Sequence, residues 1–398
     1  ERDLRKMTQI CSSHRIMILT IVSFFLERIS CIIIQERSQT LDRTNIGTLT
    51  VPRLGIGTIS WVPAPEKQLF VPGDSFTSSR GSAVREQQRT ARAAHELGLN
   101  FYDTAERYSV GGGEALLRDA VENNEAVIAT KFTPLPWRRG VKSVVDACRA
   151  SAERLGVSCI DLYQIHMPDV VQPGRAFGYV ENKDKLYWEG LARCVELGLV
   201  KEVGVSNYGS RSLTECYNFL QARGIKLASN QIHLSLLARK QGNLDTLATA
   251  NELGIVTLAY YPLARGLLTS SVRTKKNSAL QHYIQGGTGI IGFSEKNRIQ
   301  IPQGGVLPLI DALESIGFKY DRTASQVALN WIISKGAIPI VGVTNQKYLL
   351  DAAGALDWRL SSNDIAFLEQ TSDSLGFEFR GTFFKRTDSK FVGYGVES

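Results

Sequence analysis

The chain has 398 residues, 43% of them hydrophobic and 21% charged, the composition of a folded globular protein rather than of a disordered or fibrous one. Its net charge of +7 is scattered and forms no basic stripe interleaved with aromatics, which argues against a nucleic-acid surface. The six cysteines show neither a CxxC pair nor metal-ligand spacing, so reduced thiols are expected and a disulfide scaffold or metal centre is not.

Residues 1–40 read as an N-terminal extension. Ile16 to Leu26 is an apolar run of 11 residues, then Glu27 and Arg28 interrupt it. A spanning helix needs about 20 apolar residues, so no transmembrane anchor is expected. Arg2, Arg5, Lys6 and Arg15 with several serines suit an organelle-targeting segment, against which Glu1, Asp3, Glu27 and Glu36 weigh.

From about residue 41 a regular alternation of β-rich runs and helical patterns sets in. Ile46–Val51 reads as a short hairpin strand suited to plugging the bottom of a barrel. Strands are then expected at Leu54–Gly57, Asn100–Asp103, Ala126–Lys131, Asp161–His166, Val200–Val205, Leu227–Gln231, Ile255–Tyr260 and Ala337–Val341. Their continuous apolar character suits parallel strands covered on both faces. Helices are expected between them, as over Ser143–Leu155 and Asp245–Leu253. Gly98, Gly156, Gly198, Gly224 and Gly254 stand where a left-handed residue would close a helix. Eight such strands predict a single (β/α)8 barrel with an N-terminal hairpin. The rival open sheet would carry GxGxxG after its first strand, but Gly55 and Gly57 have no third partner in place. Two stretches, 63–81 and 265–303, read as long loops at the face where the strands end and the substrate arrives. Residues 41–375 make up the barrel, and 376–398 a tail without a clear pattern.

Three consecutive strands end in polar residues: Asp103, followed by Tyr108; Lys131; and His166. Strand C-termini share one face of a parallel barrel, so these side chains converge. A buried charge is costly unless paired, and Asp103 with Lys131 is the natural pair. The set suits a carbonyl that accepts a hydride and needs a proton. Tyr108 would donate the proton, its phenol acidified by the ammonium of Lys131, and a neutral His166 would place the carbonyl oxygen. Taken singly, each has a duller explanation, such as a solvated lysine or a structural histidine. Their joint occurrence at successive strand ends favours chemistry. No hydrolytic carboxylate pair or metal cluster competes. Gly111-Gly112-Gly113, without a following Lys-Ser or Lys-Thr, reads as a turn before a helix rather than a phosphate loop, and Glu114 favours that helix's N-terminus.

Asp103-Thr104-Ala105-x-x-Tyr108, Lys131 after Val-Ile-Ala-Thr and His166 after Leu-Tyr-Gln-Ile together resemble the tetrad of the aldo-keto reductase superfamily. The likeness runs from about Leu41 to Thr371. It implies carbonyl reduction with a nicotinamide cofactor and a small-molecule carbonyl substrate, with Ser206, Asn207 and Gln231 on the carboxamide. Tyr260 would stack on the nicotinamide within Tyr260-Tyr261-Pro262-Leu263, where Tyr261 and Leu263 join the pocket. The segment Gly342, Thr344, Asn345, Lys347, Tyr348 would hold the adenosine 2′-phosphate, with Asp351 near the adenine. NADP(H) is implied ahead of NAD(H), although Thr344 and Tyr348 stand where basic residues are frequent. Ser109 also departs from the usual glycine after the tyrosine. Lys131-Phe132-x-x-Leu135-Pro136-Trp137-Arg138, Gln326–Trp331 and Ala352–Leu356 are similar to a plant-type, chloroplast-associated branch, which implies a chloroplast location ahead of a cytoplasmic one. Trp137 and Arg138 are candidates for the entrance, a packed Trp being the alternative. A regulatory subunit on the same barrel, like the aldo-keto-like β-subunits of potassium channels, is the second functional reading.

Overall fold

A computed structural model of the chain describes residues 41–61, 76–108, 112–121, 125–170, 182–240, 242–274, 287–290, 298–379, 384–386 and 391–393. The expected extension over 1–40, Ser109 and Gly111 lie outside the described residues.

The hairpin comes first: β1 (Arg43–Ile46) pairs antiparallel with β2 (Leu49–Pro52) through the tight turn at Gly47 and Thr48. Gly47 has φ +60°, which suits glycine, and a Cβ there would sit 2.2 Å from the Glu202 carboxylate. That carboxylate accepts from both the backbone N–H and the hydroxyl of Thr48, each at 2.7 Å. Ile46, Leu49 and Val51 enter a buried cluster with Phe101, Ala129, Leu162, Leu258 and Ile338, so the hairpin plugs the barrel as its pattern predicts.

The eight expected strands form a closed parallel barrel. They are β3 (Gly55–Gly57), β4 (Phe101–Asp103), β5 (Val127–Phe132), β6 (Ile160–Ile165), β7 (Val200–Ser206), β8 (Leu227–His233), β9 (Val256–Tyr260) and, after a hairpin described below, β12 (Ile338–Gly342). β12 closes the ring by pairing with both β9 and β3. Side chains alternate along a strand. Phe101, Ala129 and Leu162 fill the bottom layer, so Asp103, Lys131 and His166, two or four residues further on, face the same lumen at its upper end.

Helices wrap the barrel: α1 (Phe76–Glu96), α2 (Gly112–Val121), α3 (Val141–Leu155), α4 (Asp184–Glu196), α5 (Ser210–Gln221) and α6 (Asn243–Glu252). They continue with α7 (Leu307–Tyr320), α8 (Ala324–Ser334), α9 (Gln346–Ala353) and α10 (Ser362–Ser374). The five proposed closing glycines, Gly98, Gly156, Gly198, Gly224 and Gly254, all adopt φ between +65° and +72°. At α8 a capping box joins Thr323 to Gln326.

The two long stretches differ from expectation. The predicted loop 63–81 ends earlier, because α1 begins at Phe76 and runs through Ser78, Ser79 and Gly81. The modest helix penalty of those residues is outweighed by extending a helix that is already nucleated. Residues 265–303 contain a 3-10 turn at Ser270–Arg273 and the antiparallel hairpin β10 (Gly287–Ile290) and β11 (Arg298–Ile301). The tail is not patternless either: β13 (Phe384–Arg386) pairs with β14 (Phe391–Gly393), and Phe379 is buried, its N–H donating to the Leu237 carbonyl at 2.7 Å.

Candidate active site

Asp103 closes β4 and Lys131 is the fifth residue of β5. Lys131 is fully buried, and its ammonium donates to Asp103 Oδ2 at 2.6 Å and to the Thr104 carbonyl at 2.8 Å. Gln231, at the lumen end of β8, donates Nε2 to the other oxygen of Asp103 at 2.7 Å. The buried carboxylate therefore carries a partner on each oxygen. Burial lowers the Lys131 pKa, and Asp103 acts against that fall.

Tyr108 follows on the short loop after β4 and is half-buried. Its ring centre lies 5.4 Å from the Lys131 ammonium and 6.2 Å from the His166 ring, edge-on to it. Gly113 of α2 makes room for it, since a Cβ there would sit 2.8 Å from Tyr108 Cβ. Gly112 and Gly113 thus lie within the first turn of the helix rather than in a turn before it, and Gly113 lets the helix abut the tyrosine. Glu114, buried in the same first turn, accepts from Thr130 and from Arg154, each at 2.6 Å.

His166 has Nδ1 3.3 Å from the Thr133 hydroxyl. Its pKa falls to about 3, first through burial and then through the positive charges of Lys131 and Arg107, so the imidazole is neutral. The phenol of Tyr108 departs from expectation. Burial, reinforced by the Asp103 carboxylate, holds its pKa well above the ordinary tyrosine value, whereas the sequence predicts acidification by Lys131. The field of the ammonium is largely cancelled by Asp103 at 2.6 Å, which leaves desolvation to dominate.

Beside this group, Asn207 adopts φ +63° and donates Nδ2 to the His166 carbonyl at 3.0 Å and to Ser206 Oγ at 3.1 Å. Its Oδ1 accepts from the Tyr260 hydroxyl at 2.7 Å, and Ser206 Oγ donates to the Gln231 carbonyl at 2.9 Å. Tyr260 stacks on His233 with ring centres 5.3 Å apart and planes at 9°, and Tyr261 packs edge-on against both.

The Aldo/keto reductase family model matches residues 73–373. The chain belongs to this family. The chloroplastic pyridoxal reductase of Arabidopsis thaliana is 32% identical over 340 residues, covering 82% of this chain and 85% of the relative. An aldo-keto reductase of Strobilurus tenacellus is 29% identical over 296 residues, 72% and 81% of the two chains. The crystal structure of a Bombyx mori aldo-keto reductase in complex with NADP superposes with a TM-score of 0.59 at 20% identity, covering 86% of this chain and 99% of that one. Membership implies NAD(P)H-dependent carbonyl reduction, and the chain is an oxidoreductase of the aldo/keto type. Among the described residues no helix is long and apolar enough to cross a membrane, and no group of His, Cys, Asp or Glu is placed to hold a metal.

Within this aldo/keto reductase the remaining expected cofactor residues separate into two groups. Gly342 is exposed at the end of β12, and Thr344 and Asn345 are half-buried. Asn345 caps α9, accepting from the Tyr348 N–H at 3.1 Å, while Lys347 and Tyr348 are exposed on its first turn. Leu263 instead packs partly buried against the core, and Asp351 is engaged elsewhere, its Oδ1 accepting from the Thr323 hydroxyl at 2.8 Å and from Gln326 at 3.3 Å. Asp351 thus braces α8 against α9. The Gln326–Trp331 motif is structural too: Asn330 donates to the Ala355 and Trp358 carbonyls at 2.9 and 2.7 Å. Trp137 is 72% exposed, so the packed alternative is wrong, while Arg138 pairs with the buried carboxylate of Glu106. Glu106 also accepts from the Thr133 N–H at 2.6 Å and so ties the loops after β4 and β5 together. Glu106, Thr133 and His233 were not singled out by sequence. Glu106 sits two residues before Tyr108, but nothing in the sequence marks its partners.

Proposed function

We propose that the chain reduces an aldehyde or ketone to an alcohol with NADP(H), with Tyr108 as general acid. NADPH supplies the hydride when bound. The single observation that carries the reading is the fully buried Lys131–Asp103 pair set beneath Tyr108 and beside a neutral His166.

A phenol that keeps its proton at rest is the form a proton donor needs. As the carbonyl oxygen gains negative charge, Tyr108 releases its proton to that oxygen, and the Lys131 ammonium limits the cost of the phenolate left behind. His166, held neutral by burial, donates a hydrogen bond to the same oxygen and orients it. Asp103 fixes the amine, and Gln231 fixes Asp103.

The residues present suit a nicotinamide. Gln231 Nε2 is committed to Asp103, which leaves its amide oxygen to accept from a carboxamide beside Ser206 and Asn207. Tyr260, one face backed by His233, offers its other face to the ring. Gly342, Thr344, Asn345, Lys347 and Tyr348 would meet the adenosine end. The name of the Arabidopsis relative supports a chloroplast location.

The test is loss of NADPH absorbance over a panel of aldehydes, repeated with Tyr108→Phe. Turnover is expected to fall by at least about a thousandfold in the variant, in line with loss of acid catalysis, while NADPH affinity stays within a few-fold. Undiminished turnover removes Tyr108 from the chemistry.

A further inference from the structure

The segment expected to meet the adenosine 2′-phosphate brings one cation, Lys347, because Thr344 and Tyr348 stand where basic residues would serve. The neighbouring helix supplies what is missing. Arg85, Arg89 and Arg92 on α1 are spaced four and three residues apart, so they share one face of that helix. That face looks into a surface cleft of about 360 Å³ whose far wall is Gln346, the first residue of α9. The two walls touch where Gln346 Nε2 donates to the Arg89 carbonyl at 3.3 Å.

The charge in the cleft is unbalanced. All three arginines are exposed. Arg89 approaches Glu86 at 3.8 Å, a loose surface pair worth little, and among the described residues Arg85 and Arg92 have no ion pair. Glu96 lines the cleft as well and sits at the C-terminal end of α1, four residues beyond Arg92. An anion is therefore directed to the other end, near Arg85, Arg89 and Gln346. Three like-charged side chains crowded on one face are unfavourable until a dianion joins them, and guanidinium groups match phosphate geometry.

The position agrees with the path of a long cofactor. Tyr260 ends β9, and β12 is its hydrogen-bonded neighbour, so a molecule whose ring rested on Tyr260 would reach α9 and its cleft with α1 by crossing the end of β12. We propose that Arg85 and Arg89 bind the 2′-phosphate of the cofactor and set the choice of NADP(H) over NAD(H), with Arg92 adding only its more distant charge. This rests on the reading that the chain binds a nicotinamide dinucleotide.

The experiment measures dissociation constants by calorimetry for NADPH, NADH, adenosine 2′-monophosphate and adenosine 5′-monophosphate. It compares the unmodified chain with Arg85→Gln/Arg89→Gln, Arg92→Gln and Lys347→Ala. The double variant is expected to weaken NADPH and adenosine 2′-monophosphate by about tenfold or more, the scale of one lost charged hydrogen bond, with NADH within twofold. Arg92→Gln and Lys347→Ala are each expected to do less. Because the side chains are exposed, thermal midpoints stay near that of the unmodified chain. Equal loss of NADPH and NADH affinity, or no loss of either, overturns the assignment while carbonyl reduction stands. An unmodified chain that binds both dinucleotides equally well overturns it in the same way. An unmodified chain that binds neither removes the assignment and the proposed function together.

Discussion

Lys131→Met removes the cation that holds Asp103 in the barrel lumen. Lys131 is fully buried and Asp103 is 3% exposed, so solvent cannot replace the lost 2.6 Å bond. The carboxylate is left with the Gln231 amide at 2.7 Å as its side-chain donor. Breaking a buried pair from one side costs about 3–5 kcal/mol, because the orphaned charge is the expense, whereas replacing both partners can be nearly neutral. At about 2 °C per kcal/mol for a chain of this size, the thermal midpoint should fall by roughly 6–10 °C. In Lys131→Met/Asp103→Asn no charge is stranded, and most of that loss should return. Scanning calorimetry reads both changes, and turnover measured alongside should be lost in single and double variants alike. A single variant within about 1 kcal/mol of the unmodified chain, or a double variant no more stable than the single, refutes the reasoning that charge pairing holds the site.

His166 titrates at about 3 in the folded chain and near 6.5 when unfolded, so the unfolded state binds the extra proton between those values. Its contribution to stability should be complete above pH 6.5 and decline as pH falls towards 3, by at most about 1.4 kcal/mol per unit, and a His166→Gln variant should show a shallower acid slope in denaturant melts. At the opposite end of the barrel, Gly47→Ala meets both a left-handed φ of +60° and the Glu202 carboxylate 2.2 Å away. It should cost about 2 kcal/mol in a urea melt and leave turnover per folded molecule unchanged, since the hairpin is remote from Tyr108. A drop in turnover without loss of stability would show that the plug communicates with the site.

What the sequence reveals here is what the chain encodes locally or by repetition. Continuous apolar runs mark the parallel strands, and the residue that must turn left-handed at a helix end announces itself as Gly98, Gly156, Gly198, Gly224 and Gly254. Asp103, Lys131 and His166 are legible as a group because strand order converts into adjacency in a closed barrel. Properties set by surroundings are not. The proton affinity of Tyr108 depends on how much water reaches it and on how far Asp103 cancels Lys131, and no motif carries either quantity. Asp351 shows the converse: its place in the pattern suggests a ligand contact, and nothing in the pattern announces that Thr323 and Gln326 also hold its Oδ1. The three arginines of α1 are the clearest case. At spacings of four and three they look like an ordinary solvated helix face, and only the approach of Gln346 from the last barrel segment gives that face a second wall. A pattern within one element can be read from its own residues. A site shared by helices far apart in the chain needs the closure of the ring, because α1 and α9 are neighbours only after β12 has paired with β3.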